Sequence, residues 1–135
     1  TIRANILFGK PDAMEDEMID AAKKARCYDF IMALSDGFDT VVGEGGGTLS
    51  GGEKQRVSIA RAILKDASII ILDEATASVD PENEHLIQQA ISELTRGKTI
   101  ITIAHRLAAI EQADQILVVE NGKIAERGTH QELIR

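Results

Sequence analysis

Apolar residues set the rhythm of this chain. Met14, Met18, Ala21, Ala22 and Ala25 recur at helical spacing among charged neighbours, so residues 12–35 read as helical and amphipathic. Asp12, Glu15, Asp16, Glu17 and Asp20 lead that stretch and Lys23, Lys24 and Arg26 follow, which complements a helix dipole. A second helical turn is expected over Tyr28 to Leu34, before Asp36-Gly37. The next helix runs from about Gly51 to Leu64, with Val57, Ala60 and Leu64 on one face. Ile69-Ile70-Ile71-Leu72 is a short, continuous, β-branched run, the pattern of a strand buried on both faces of a parallel sheet. A helix over 82–95, with Asp80 and Pro81 as cap and first-turn pair, and a strand over Thr99 to Ala104 follow. Leu107 to Gln112 reads as a short helix. Ile116 to Val119 and Lys123 to Glu126 flank Asn121-Gly122, a strong hairpin signal, and Thr129 can cap a final helix. Helices first, then strand, helix, strand, helix and hairpin imply an α/β half-sheet with a helical segment in front. Right-handed crossovers would place the ends of the 69–72 and 99–104 strands along one edge, where ligands of open α/β sheets bind.

Composition narrows this picture. The 135 residues are one domain's worth of chain, with 15 Lys and Arg against 22 Asp and Glu for a formal charge of −7. That balance argues against a general nucleic-acid surface, which needs clustered Lys and Arg. Cys27 is the only cysteine, so no intrachain disulfide can form. No apolar run approaches the roughly 20 residues that span a bilayer. The chain opens at Thr1-Ile2-Arg3 without an initiator Met, and Gln131–Arg135 looks like a helix cut short; both ends are expected to be those of a piece of a longer protein.

The densest chemical signal is Val42 to Arg56, VGEGGGTLSGGEKQR, with six glycines in fifteen residues. Glycine before a helix lets backbone approach a phosphate closely. Yet the P-loop pattern G-x-x-x-x-G-K-[ST] occurs nowhere in the chain. Ser50-Gly51-Gly52-Glu53 also fits a capping box, and the two readings are compatible. Glycines inside the box remain unexplained by capping alone, because each costs about 1 kcal/mol against alanine in a helix. Asp73 and Glu74 stand directly after the apolar strand; they are either solvated acids at a strand-to-loop transition or a pair that organises Mg²⁺ and polarises water. His105 ends the next strand, and neighbouring strands would bring it beside Glu74. His85 and His130 receive no role.

Taken together, Leu49-Ser50-Gly51-Gly52-Glu53, Ile69–Glu74, Ser78-Val79-Asp80 and His105 resemble ATP-binding cassette (ABC) ATPases. They look like the signature motif, Walker B with its catalytic glutamate, the D-loop and the switch histidine. Thr1–Gly9 resembles the segment after the family's Q-loop glutamine, and Gly128–Leu133 the closing stretch of exporter domains. The resemblance implies a helical signature subdomain over 1–65, then over 66–135 the C-terminal half of a P-loop NTPase (RecA-like) parallel core with a terminal β-hairpin. It implies that Leu49, Ser50, Gly51, Gly52 and Glu53 serve ATP bound to the opposite subunit of a head-to-tail homo- or heterodimer, Ser50, Gly51 and Gly52 at its γ-phosphate. Asp73 would help hold Mg²⁺, Glu74 would act as general base, His105 would sense the γ-phosphate, and Ser78 and Asp80 would lie at the dimer interface. Glu44 matches the exporter X-loop near the membrane domains' coupling helices, on the cytoplasmic face.

Glu53 stands where many members have glutamine, Gly46 where arginine is frequent, and Val79 where leucine is commoner. None removes a group needed for hydrolysis. The larger departure is the Walker A loop, A-loop and Q-loop glutamine, none of which occurs in these residues. The 135-residue chain is therefore expected to bind ATP weakly and not to hydrolyse it, with its open half-sheet inviting oligomerisation. Two other readings stand beside export: a non-transport ABC ATPase of chromosome maintenance, DNA repair or translation, and a stand-alone interaction module with a mere capping box. The Thr1–Gly9 segment, Glu44, the short motif spacing and the Ile116–Gly128 hairpin favour the exporter.

Overall fold

The computed structural model describes residues 1–43, 49–73, 81–104 and 111–134. The described residues of Thr1–Ile70 and Ala75–Ile100 form one compact unit, and those of Ile71–Glu74 and Ile101–Arg135 a second.

In the first unit, α1 (Ile2–Leu7) starts at Thr1, whose hydroxyl accepts from the Ala4 N–H at 3.1 Å. α2 (Glu15–Lys24) and α3 (Tyr28–Ala33) follow, then a 3₁₀ turn (Gly37–Asp39). α4 (Gly51–Lys65) and α5 (Pro81–Thr95) are the long helices. α4 is the hub, packing on α1, α2 and α5. Its stripe of Val57, Ile59, Ala60 and Leu64 is buried, as are Ile87, Ala90 and Leu94 on α5, each at helical spacing. Ile2, Ile6, Met18, Ala22 and Ile31 complete a core fully shielded from water.

The helical stretch expected over 12–35 is two helices. α2 stops where Arg26 takes a left-handed φ of 59° and the Cys27 N–H turns back to the Ala22 carbonyl at 2.9 Å. That six-to-one bond is a Schellman-type ending, made here without the usual glycine. α3 is the second helical turn expected over Tyr28 to Leu34, and it buries its own apolar residue, Ile31, in the same core. α1 carries no assignment in the sequence reading, its six residues being too few for a clear period.

Cys27 follows the break. Its thiol is buried, donates to the Ala22 carbonyl at 3.4 Å, and is pushed by burial from near 9 up to about 12. The unfolded thiol ionises near pH 9, the folded one three units higher, so the unfolded state loses its proton first. Stability is therefore expected to fall as pH rises from 9 towards 12, and a disulfide-exchange reagent at pH 8 should label Cys27 only after denaturant is added. Urea titrations at pH 8 and 10, against a Cys27→Ala control, check both.

β1 (Ile69–Asp73) pairs with β2 (Thr99–Ile103) in a two-stranded sheet, as the sequence anticipated for neighbouring strands. Asp66, at φ 54°, ends α4, and its carboxylate pairs with the Lys98 ammonium just before β2; this contact holds the Asp66 carboxyl below its usual range. The expectation of a strand buried on both faces is corrected: Ile70 is buried, but Ile69 and Ile71 are 60% and 65% exposed. Side chains alternate across a strand, and among the described residues only the Ile70 side of β1 is covered. Ile101 and Ile103 on β2 are likewise exposed.

In the second unit, β3 (Ile116–Glu120) and β4 (Lys123–Gly128) form the expected antiparallel hairpin, with a register shift between Val118 and Val119. Asn121 and Gly122 both have positive φ, 53° and 75°, as a type I′ turn requires. α6 (His130–Leu133) begins at Thr129, whose hydroxyl accepts from the Glu132 N–H at 3.3 Å while Glu132 accepts from the Thr129 N–H at 2.9 Å. Among the described residues no helix is long and apolar enough to cross a membrane. The helix expected over Leu107 to Gln112 falls mostly outside the described residues.

Candidate functional site

α4 opens with the predicted capping box. The Ser50 hydroxyl accepts from the Glu53 N–H at 3.2 Å, and the Glu53 carboxylate accepts from the Ser50 N–H at 2.9 Å. Those two bonds leave the Gly51 and Gly52 N–H groups without helical acceptors, at the positive end of a fifteen-residue dipole. Ser50 and Gly51 are exposed, Leu49 and Glu53 half-buried, and Gly52 buried. An exposed, capped, glycine-lined helix start of this kind can receive an anionic oxygen on bare N–H groups.

The two glycines differ. A Cβ added at Gly51 would meet nothing within 4 Å, whereas one at Gly52 would lie 2.7 Å from the Asn83 Cβ and 2.8 Å from its Cγ. One turn beyond Gly52 stands Arg56, 5% exposed. Its guanidinium donates to the Arg26 carbonyl at 2.6 Å and to the Asn83 Oδ1 at 2.9 Å, and lies 5.0 Å from the centre of the Phe30 ring. A weaker bond, 3.4 Å, runs back to the Gly52 carbonyl. The sequence reading gave Arg56, Asn83 and the Arg26 carbonyl no part in the site. A signal was present: Arg56 falls at helical spacing with Gly52 and Ala60, inside the apolar stripe of α4, where an unpaired charge would be costly.

Asp73, the last residue of β1, is exposed. Glu44, Glu74, Ser78, Asp80 and His105 lie outside the described residues. Among the described residues no three His, Cys, Asp or Glu side chains gather as a metal centre. His85 is exposed on α5, with its Nε2 3.1 Å from Gln89, and His130 starts α6.

The sequence profile of the ABC transporter family matches residues 1–77. The ABC transporter ATP-binding protein YknU of Bacillus subtilis is 52% identical over 134 residues, 99% of this chain and 23% of its own length. The ABC multidrug transporter mdr1 of Aspergillus fumigatus is 54% identical over 137 residues, all of this chain and 10% of its own. A bacterial Atm1-family ABC exporter solved with ATP bound superposes with a TM-score of 0.85 at 46% identity, over 99% of this chain and 23% of that one. The chain thus spans about a quarter, or less, of the length of these relatives.

Proposed function

Because this chain belongs to the ABC transporter family, we propose that it supplies the signature half of an exporter's ATP site and one edge of the catalytic centre. The relatives named above are ATP-binding, multidrug-transporting or exporter proteins, and the match to them runs the length of the chain rather than a motif or two. The observation that carries the reading is the start of α4, where Gly51 is open and the Ser50–Glu53 box holds the turn rigid. Leu49, Ser50, Gly51, Gly52 and Glu53 would face the γ-phosphate of ATP held by a second nucleotide-binding domain, identical or not. Asp73 would hold Mg²⁺, which when bound neutralises phosphate charge. Glu74 would take the proton of the attacking water, His105 would meet the γ-phosphate, Ser78 and Asp80 would line the dimer interface, and Glu44 would face the membrane domains. We further propose that 1–65 is the helical signature subdomain and that 66–135 completes a RecA-like parallel core, working on the cytoplasmic face of a membrane to drive export.

Alanine at Gly51 separates the structural role from the chemical one. In a helix's first turn, with open space around it, alanine should leave the fold intact or stabilise it by a few tenths of a kcal/mol. In the full-length protein the same change should lower ATPase activity at least about tenfold, as removing one positioned donor's approach does elsewhere. Equal activity of variant and parent would overturn the phosphate-facing assignment. The 135-residue chain alone, which contains no Walker A pattern, should show no ATPase activity above buffer in a phosphate-release assay.

A further inference from the structure

Resting on that reading, we propose that Asn83 and Arg56 are positioning residues: with Gly52 they lock the ATP-facing turn of α4 to the first turn of α5. Three observations converge on Asn83. Its Oδ1 accepts from Arg56 at 2.9 Å, its Cβ and Cγ occupy the space a side chain at Gly52 would need, and it lies only three residues beyond Asp80 in the chain. Arg56 extends the lock to a third point, because its other nitrogen holds the Arg26 carbonyl at the left-handed break between α2 and α3. Gly52 thus lacks a side chain for a reason besides phosphate approach: its carbon faces Asn83, and its N–H remains free of a helical acceptor. The helix that delivers Ser50 and Gly51 and the helix that follows Ser78 and Asp80 are seated against each other by this cluster. A guanidinium held by two oxygens and an aromatic face tolerates little displacement, since each partner is matched to its planar fork.

The test uses the full-length protein, with steady-state ATPase kinetics and thermal unfolding followed in the same preparations. Asn83→Asp keeps an oxygen for Arg56 and should hold kcat within about 2-fold of the parent; Asn83→Leu keeps the bulk without the acceptor and should lower kcat at least about 5-fold with KM for MgATP unchanged. Gly52→Ala should lower kcat at least about 10-fold and also lower Tm. Adding Asn83→Gly to Gly52→Ala removes the colliding atoms and should restore both to near the values of Asn83→Gly alone. Parental kinetics in Asn83→Leu, or a double variant no better than Gly52→Ala in Tm and kcat, would overturn the lock. Should Gly51→Ala leave ATPase activity intact, the ATP assignment fails by itself, and the Tm pair of Gly52→Ala with and without Asn83→Gly still decides the lock.

Discussion

Replacing Glu74 by glutamine in the full-length protein is expected to lower ATP turnover by about 10²–10⁴-fold, the usual contribution of a positioned general base. Glutamine keeps the size and hydrogen-bonding reach of the side chain but cannot take the proton of the attacking water. Glu74 follows Asp73 directly, and Asp73 ends β1 as an exposed carboxylate. On the proposed reading Asp73 would serve the metal and Glu74 the attacking water. Binding of a fluorescent ATP analogue should survive Glu74→Gln, because ground-state contacts to the phosphates are untouched. Loss of turnover together with loss of binding would move Glu74 from proton transfer to nucleotide binding. Asp73→Asn should give the converse pattern, with weaker MgATP binding and a KM that rises with falling Mg²⁺.

Arg56→Ala is expected to destabilise the 135-residue chain by about 3 kcal/mol, a Tm loss of about 10 °C at this chain length. The deletion removes two part-buried hydrogen bonds from a charged donor, to the Arg26 carbonyl and the Asn83 Oδ1, at about 1.5 kcal/mol each. It also removes the cation over Phe30 and opens space among α3, α4 and α5. Methionine at the same position refills the volume without the donors, so Arg56→Met should recover less than half of the loss. Full recovery by methionine would assign the role of Arg56 to packing alone. Differential scanning calorimetry on parent and both variants gives the comparison directly. By contrast, the ion pairs of Lys10 with Glu17 and Lys24 with Asp20 lie in the open, and their removal should leave the Tm nearly unchanged.

Much of the architecture is legible one residue at a time. Asn121-Gly122 announced the hairpin because only a few residue types accept two successive positive φ values. Ser50 with Glu53 announced the start of α4, since both halves of a capping box lie within four residues. The stripe of α4 was visible because burial repeats every 3.6 residues. The candidate site was read in the same way, as motifs in a fixed order, and Ser50 and Gly51 open α4 where the sequence put them. The family's remaining acids and histidine belong to residues outside those described.

Other features had no local trace. The left-handed backbone of Arg26 between α2 and α3 is one, and its carbonyl is met by a guanidinium 30 residues further on. The burial of Arg56 depends on Asn83, 27 residues away. Gly51 and Gly52 are indistinguishable in the chain, yet one faces open space and the other the flank of Asn83. The exposure of Ile69 and Ile71 was likewise hidden, because an apolar run states what a strand can bury and not what arrives to cover it. Caps, turns and periods are written within a helical turn or a hairpin, where chain connectivity places the partners. Which polar group meets a buried cation, and which glycine has no room for a methyl group, depends on surfaces brought together from distant parts of the chain, and only packing decides that.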